Sequence, residues 1–219
     1  MQFARQPDRQ NNELTTNRIE AFSDGVFAIA ITLLILEIRL PSQADATHGS
    51  LAAALLTIWP SYFAYIFSFA IVGIYWVNHH YIFKIYQKTD HVFNLLNLFF
   101  LMCISFLPFP TEVLGRHLLD VSEQRTTIAF YVFGLLLPAI AWFLTWIYAC
   151  SNYRLIDAKL SPSFVRYLTR QYGLAVVIYL VTLLVALIQP GVALAIAVGL
   201  TFSFLRPSRK PVYLDLPPA

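Results

Sequence analysis

Apolar runs of bilayer length, separated by short polar breaks, fill most of the chain and predict a bundle of membrane-spanning helices. A helix rises about 1.5 Å per residue, so about 20 apolar residues cross a hydrocarbon core of about 30 Å. Six such runs can be counted, at about 18–40, 51–87, 90–109, 126–151, 162–189 and 192–205. Proline and glycine punctuate them. Pro60 predicts a kink or boundary near the start of the second run, and Pro108 and Pro110 are expected to close the third. Pro138 lies inside the fourth, where membrane helices tolerate it, and Pro190-Gly191 turns the fifth run into the sixth. Residues 1–17 are expected to form a short polar tail with no cleaved signal peptide. Residues 206–219 form a second tail, which holds Pro207, Pro211, Pro217 and Pro218 and is expected to be extended or disordered. No internal repeat is visible, so 18–205 is expected to be one domain.

Composition agrees with this pattern. Hydrophobic residues make up 58% of the chain and charged residues 12%, where ordinary soluble domains carry about 25% charge. The fold class is therefore an all-α integral membrane protein with six transmembrane helices. An even number of spans puts both termini on one side. That side would hold Arg5, Arg9, Arg18, Lys84, Lys88, Arg154, Lys159, Arg166, Arg170, Arg206, Arg209 and Lys210, against Arg39, Arg116 and Arg125 opposite. Twelve against three places both termini in the cytoplasm of a cell membrane, and five or seven spans would scatter the charges over both faces. Trp59, Trp76, Trp142 and Trp146 partly suit interfacial belts, although Trp76, beside polar residues, equally suits the interior.

Chemistry concentrates at the start of the first helix, in Arg18, Glu20, Ser23 and Asp24. A carboxylate one or two turns inside a span costs about 2.5 to 3.5 kcal/mol, so Asp24 needs a partner or a hydrated cavity. Candidate partners at the same depth are Arg18, His79 and His80, and Asp90, Asn94 and Asn97, with Asn78 able to join. Such a network either holds helices together or carries protons. Further along, Gly25, Ile29, Thr32, Leu33 and Leu36 share one face by their spacing, with Phe22, Val26 and Leu40 expected elsewhere around the axis. That face either packs against lipid and neighbouring helices or lines a pore of apolar rings interrupted by one hydroxyl.

Several chemistries are poorly served. Cys103 and Cys150 lack companions at disulfide or metal-ligand spacing. His79 and His80 are adjacent, so on a helix they point about 100° apart and cannot easily chelate one ion. Ser23 has no nucleophile-elbow context. The expectation is no enzyme, no metal or cofactor and no nucleic-acid partner, and no regular arginine series suggests a voltage sensor.

Arg18-x-x-x-Phe22-Ser23-Asp24, the tract Gly-Val-Phe-Ala-Ile-Ala-Ile-Thr-Leu-Leu that follows it, and Gly73-Ile-Tyr-Trp-Val-Asn-His-His80 together resemble the signature of the prokaryotic relatives of transmembrane protein 175, the endolysosomal potassium channel family. The resemblance spans about 18–205. It implies a homotetramer in which the first helices of four subunits line a central pore for K⁺ and other monovalent cations, within membrane lipid. It further implies that Ile29 forms the narrowest apolar ring and Leu33 and Leu36 further ones, while Thr32 contacts the ion. Arg18, Phe22, Ser23 and Asp24 would hold the first helix in place, with His79 or His80 and Asn97 as partners. Ala28 stands where some relatives carry a hydroxyl, which implies only modest preference for K⁺ over Na⁺. The other reading of these residues is a proton-coupled transporter or proton pathway using Asp24 and His79 or His80.

Overall fold

A computed structural model describes residues 16–39, 50–205 and 209–214; Leu40 and most of both expected tails lie outside these. The described residues form α1 (Thr16–Leu33), α2 (Leu51–Thr57), α3 (Trp59–Phe83), α4 (His91–Phe106), α5 (Pro108–His117), α6 (Gln124–Cys150), α7 (Pro162–Ala186) and α8 (Pro190–Phe204). Short 3₁₀ turns extend α1 over Leu34–Glu37 and α6 over Ser151–Tyr153. The bonds that start these helices follow from sequence. Ser50, Asp90 and Ser161 accept from the amides of Ala53, Phe93 and Phe164, while α3, α5, α7 and α8 carry proline in the first turn, where no amide donor is missed.

Five of the described helices, taken with their continuations, are long and apolar enough to cross a membrane: Thr16–Glu37, Trp59–Phe83, His91–His117, Gln124–Tyr153 and Pro162–Ala186. The sixth apolar run is the shorter helix α8. The expected break near Pro60 occurs at Ile58, which separates α2 from α3. The expected stop at Pro108 and Pro110 does not occur. Leu107 keeps helical angles (φ −57°, ψ −33°), and Pro108 serves as the first residue of a new helix that carries the run on to His117. The second run ends earlier than expected, at Phe83, because residues 85–87 leave the helix to pair with 155–157. Tyr86 and Ile156 form an isolated antiparallel bridge, and the Gln87 amide donates to the Leu155 carbonyl at 2.9 Å.

α6 is the central helix, with 56% of its apolar window buried, whereas α1 is peripheral, with 22%. One apolar core joins α1, α3, α4, α5, α6, α7 and α8, including Phe27, Leu34, Ile71, Phe100, Leu114 and Tyr131. A second core, at one end of the bundle, gathers Phe83, Tyr86, Phe93, Trp146, Ile156, Leu160 and Phe164. At that same end residues 209–214 are docked on the bundle: Tyr213 bridges to Leu160, the Ser161 amide donates to the Val212 carbonyl at 2.8 Å, and the Arg209 guanidinium lies 4.4 Å from the Tyr167 ring centre. Tyr81, near the end of α3, donates to the Arg209 carbonyl.

Candidate ion pathway

α1 divides into two faces. Ser23, Phe27, Ala30 and Leu34, spaced by four, three and four, are buried against the bundle. Opposite them Phe22 (53% exposed), Ile29 (62%), Leu33 (41%) and Leu36 (67%) face outward. The expectation that Phe22 points elsewhere is corrected. It precedes Ile29 by seven residues, about two full turns, and so shares its face. Arg18 is exposed on the same side. Thr32 is exposed, and its hydroxyl donates back to the Ala28 and Ile29 carbonyls, each at 2.9 Å. With the proton engaged in its own helix, the oxygen keeps lone pairs for an outside donor or cation.

The buried face is held by a polar chain. The Ser23 hydroxyl donates to the Ile19 carbonyl at 2.7 Å and accepts from Asn97 Nδ2 on α4 at 3.0 Å. Asn97 Oδ1 lies 3.2 Å from His79 Nε2 on α3. All three side chains are buried, at 0%, 2% and 1% exposure, and the His79 ring stacks on Phe83 at 4.2 Å between centres and meets Phe27 edge-on at 5.4 Å. An acceptor on Asn97 requires the proton on His79 Nε2, which leaves Nδ1 as an unpartnered acceptor.

Asp24 takes a partner that sequence reasoning did not propose: Trp76 Nε1 donates to Asp24 Oδ1 at 3.0 Å. Trp76 is 46% exposed rather than interior. An indole has one donor and no acceptor, so a tryptophan at the depth of a lone carboxylate was the available signal. His80 leaves the buried chain and pairs with Glu20 at 3.1 Å. Ser23, His79 and Asn97 are thus brought together; Asp24 and His80 bond separately to other residues; Arg18 and Phe22 turn outward. Asp90 and Asn94 do not reach Asp24. Asp90 caps its own helix through the Phe93 amide at 2.8 Å and accepts from the Tyr148 hydroxyl at 2.7 Å, which in turn accepts from Arg154 at 2.8 Å. Burial pushes the Asp90 carboxyl up, but the Phe93 amide, Tyr148 and Arg154 outweigh it and hold the group below its ordinary value. At the other end of α1, Glu112 on α5 binds both Arg39 at 2.8 Å and Arg116 at 2.6 Å. A second cluster missed in sequence joins Ser68, Thr111 and Tyr131, at 2.7 and 2.8 Å, linking α3, α5 and α6.

Residues 18–108 match the family described as endosomal/lysosomal potassium channel TMEM175. A protein of Chamaesiphon minutus named a potassium channel is 39% identical over 189 residues, which cover 86% of this chain and 93% of that one. The chain belongs to the TMEM175 family. The family is one of ion channels, so the chain is a channel and not an enzyme. A potassium channel of Streptomyces collinus is 37% identical over 180 residues, covering 82% of this chain and 86% of the relative. The crystal structure of a lysosomal potassium-selective TMEM175 homologue from Chamaesiphon minutus superposes with a TM-score of 0.78 at 37% identity, over 87% of this chain and 96% of that one. Mouse TMEM175, named an endosomal/lysosomal proton channel, is 37% identical over 139 residues, which cover 59% of this chain and 28% of the mouse protein.

Proposed function

We infer that the chain is a K⁺-permeable cation channel in which four copies surround a pore lined by α1, with modest selectivity for K⁺ over Na⁺. The observation that carries this reading is the division of α1, whose Phe22, Ile29, Leu33 and Leu36 face away from an otherwise packed subunit. The least buried span of a bundle is the one with an apolar face left for other copies or a pore. Relatives of similar length named potassium channels support K⁺ as the ion. Ile29 forms the narrowest ring, Leu33 and Leu36 add apolar rings beyond it, and the Thr32 oxygens offer the ion partial replacement of its water shell. Ser23, Asp24, His79, His80 and Asn97 hold α1 in register with α3 and α4, whereas Arg18 and Phe22 stand on its outward face. With α8 as a short sixth span, the charge bias sets both termini in the cytoplasm of the cell membrane.

An apolar ring that resists wetting limits ion passage, and a polar substituent relieves it. Ile29→Asn should therefore raise K⁺ flux into liposomes above that of the parent. No K⁺ flux from either protein would remove the channel assignment for this chain. A second reading, proton passage, draws on the names of the vertebrate relatives and on the unpartnered buried Nδ1 of His79. Flux that rises steeply with acidity and loses that dependence in His79→Gln would favour it over K⁺ conduction.

A further inference from the structure

One face of α7 has the profile of a phospholipid. Arg166, Arg170, Leu174, Val177, Val181 and Leu184 are all exposed, and at about 100° per residue they fall within a sector of about 80° around the helix axis. The two guanidiniums stand at one end of this stripe and hydrocarbon fills the rest. Between Arg170 and Leu187, the residue that caps α7, the chain carries no charge and the helix rises about 26 Å, close to one hydrocarbon core of about 30 Å. Arg170 therefore stands at the boundary of the hydrocarbon, and Arg166 one turn beyond it, at the depth of lipid phosphates.

A third arginine reaches the same place from the far end of the chain. Residues 209–214 pair with those just before α7, Tyr81 of α3 holds the Arg209 carbonyl, and the exposed Arg209 guanidinium stacks on Tyr167, the residue that follows Arg166. Tyr167 stands about 60° round the axis from Arg170 and about 100° from Arg166, so its stacked guanidinium widens the basic end of the stripe. Among the described residues none of the three arginines makes an ion pair. Asp157, the acid nearest to α7 in sequence, accepts from the Lys159 amide at 2.9 Å. A basic bias that only sets orientation acts by number and needs no such arrangement. Like charges gathered without a counter-ion repel, and an anion placed among them reverses the sign of that energy.

We propose that Arg166, Arg170 and Arg209 bind the headgroup phosphate of an anionic phospholipid, one of whose acyl chains lies along Leu174, Val177, Val181 and Leu184. Guanidiniums present paired donors that match phosphate oxygens. A zwitterionic lipid brings its own cation to the phosphate, so three arginines favour a lipid of net negative charge. The apolar stripe continues straight from the guanidiniums, which selects a membrane lipid over a free phosphate ester, since only the lipid covers both parts.

The probe is dioleoylphosphatidylglycerol, titrated into the whole purified protein in an uncharged detergent, with bound lipid counted by native mass spectrometry and dioleoylphosphatidylcholine as the reference. Phosphatidylglycerol should be retained at concentrations where phosphatidylcholine is lost. A basic residue beside an anionic lipid is worth about fivefold in affinity, so Arg166→Gln combined with Arg170→Gln should weaken phosphatidylglycerol about 30-fold and Arg209→Gln about fivefold. Lys88→Gln and Arg125→Gln, at other exposed sites, make the same change of charge as Arg209→Gln and should leave binding at the parent's level. A phosphatidylglycerol with a diazirine in mid-chain should place its adducts within 174–184 of α7; this is read on the parent, and so decides the matter even where the double variant does not elute as the parent does. Equal retention of the two lipids, an equal loss in Lys88→Gln, or adducts spread over all the exposed helices would overturn the site. Release of the lipid by sn-glycerol 3-phosphate at matching concentration would refute the lipid in favour of a free phosphate ester.

Discussion

Replacing Asn97 by alanine tests the polar chain that seats α1. Asn97 is 2% exposed and joins three helices, donating to Ser23 on α1 at 3.0 Å and accepting from His79 on α3 at 3.2 Å. Two hydrogen bonds disappear in Asn97→Ala. Within membranes each is worth about 0.6 kcal/mol. The variant also strands the His79 Nε2 proton among Phe27, Phe83 and Phe100, and an unsatisfied buried donor costs about 1–3 kcal/mol. Ser23 loses less, since its hydroxyl still donates to Ile19. The sum is about 2–4 kcal/mol. At about 2–4 °C per kcal/mol for a chain of this size, the melting temperature of the detergent-solubilised protein should fall by about 4–16 °C. The assay is loss of the folded size-exclusion peak after stepwise heating. Ser23→Ala should cost less, and the double variant should fall short of the sum of the two, because both remove one shared bond. A melting temperature for Asn97→Ala within a degree of the parent's would refute the reasoning, as would strict additivity with Ser23→Ala.

Three further outcomes follow from other contacts. Gly134→Ala should destabilise the subunit by about 1–3 kcal/mol, read in the same thermal assay, because an added Cβ would stand 2.8 Å from Cγ of the Pro110 ring; a rise in melting temperature would show that helix propensity outweighs the close approach of α5 and α6. The contribution of Asp90 is fully present above the ordinary aspartate value of about 3.9 and is lost as pH falls through its depressed native value, so the gap in melting temperature between the parent and Asp90→Asn should close below about pH 4. A gap that persists unchanged in acid would discount the carboxylate's charge. Asp24→Ala removes the acceptor of Trp76 and should reduce recovery of the proposed tetramer more than it alters the K⁺ to Na⁺ flux ratio; an intact assembly with altered ion preference would place Asp24 in the ion path.

Hydropathy sufficed to find the runs that became long helices, because burial in a bilayer is decided by composition over about 20 residues and hardly by partners. Local punctuation was harder to interpret. Pro60 marked a true break, since α2 and α3 meet at Ile58. Pro108 marked a restart instead, because a proline in the first turn of a helix costs little and Leu107 never leaves helical angles. The polar residues were visible as a set, but their pairing was not. Asn97 and His79 were among the candidates, whereas Trp76 was missed as the partner of Asp24, since the pairing depends on how α1 and α3 rotate against each other. The docking of 209–214 on Leu160 and the 3₁₀ tightening over Leu34–Glu37 join or reshape the backbone without a composition signal.

The low burial of α1 separates two kinds of selection that most helices must satisfy together. Substitutions at Phe22, Ile29, Leu33 or Leu36 touch little of their own subunit, so they leave its folding energy nearly intact and act on what meets that face. Substitutions at Ser23, Phe27, Ala30 or Leu34 act on the fold itself. A saturation library of this one helix, scored separately for protein abundance and for ion passage, should therefore split into two sets that alternate with the helical repeat. The outward face can therefore drift widely during evolution without the protein passing through unstable intermediates.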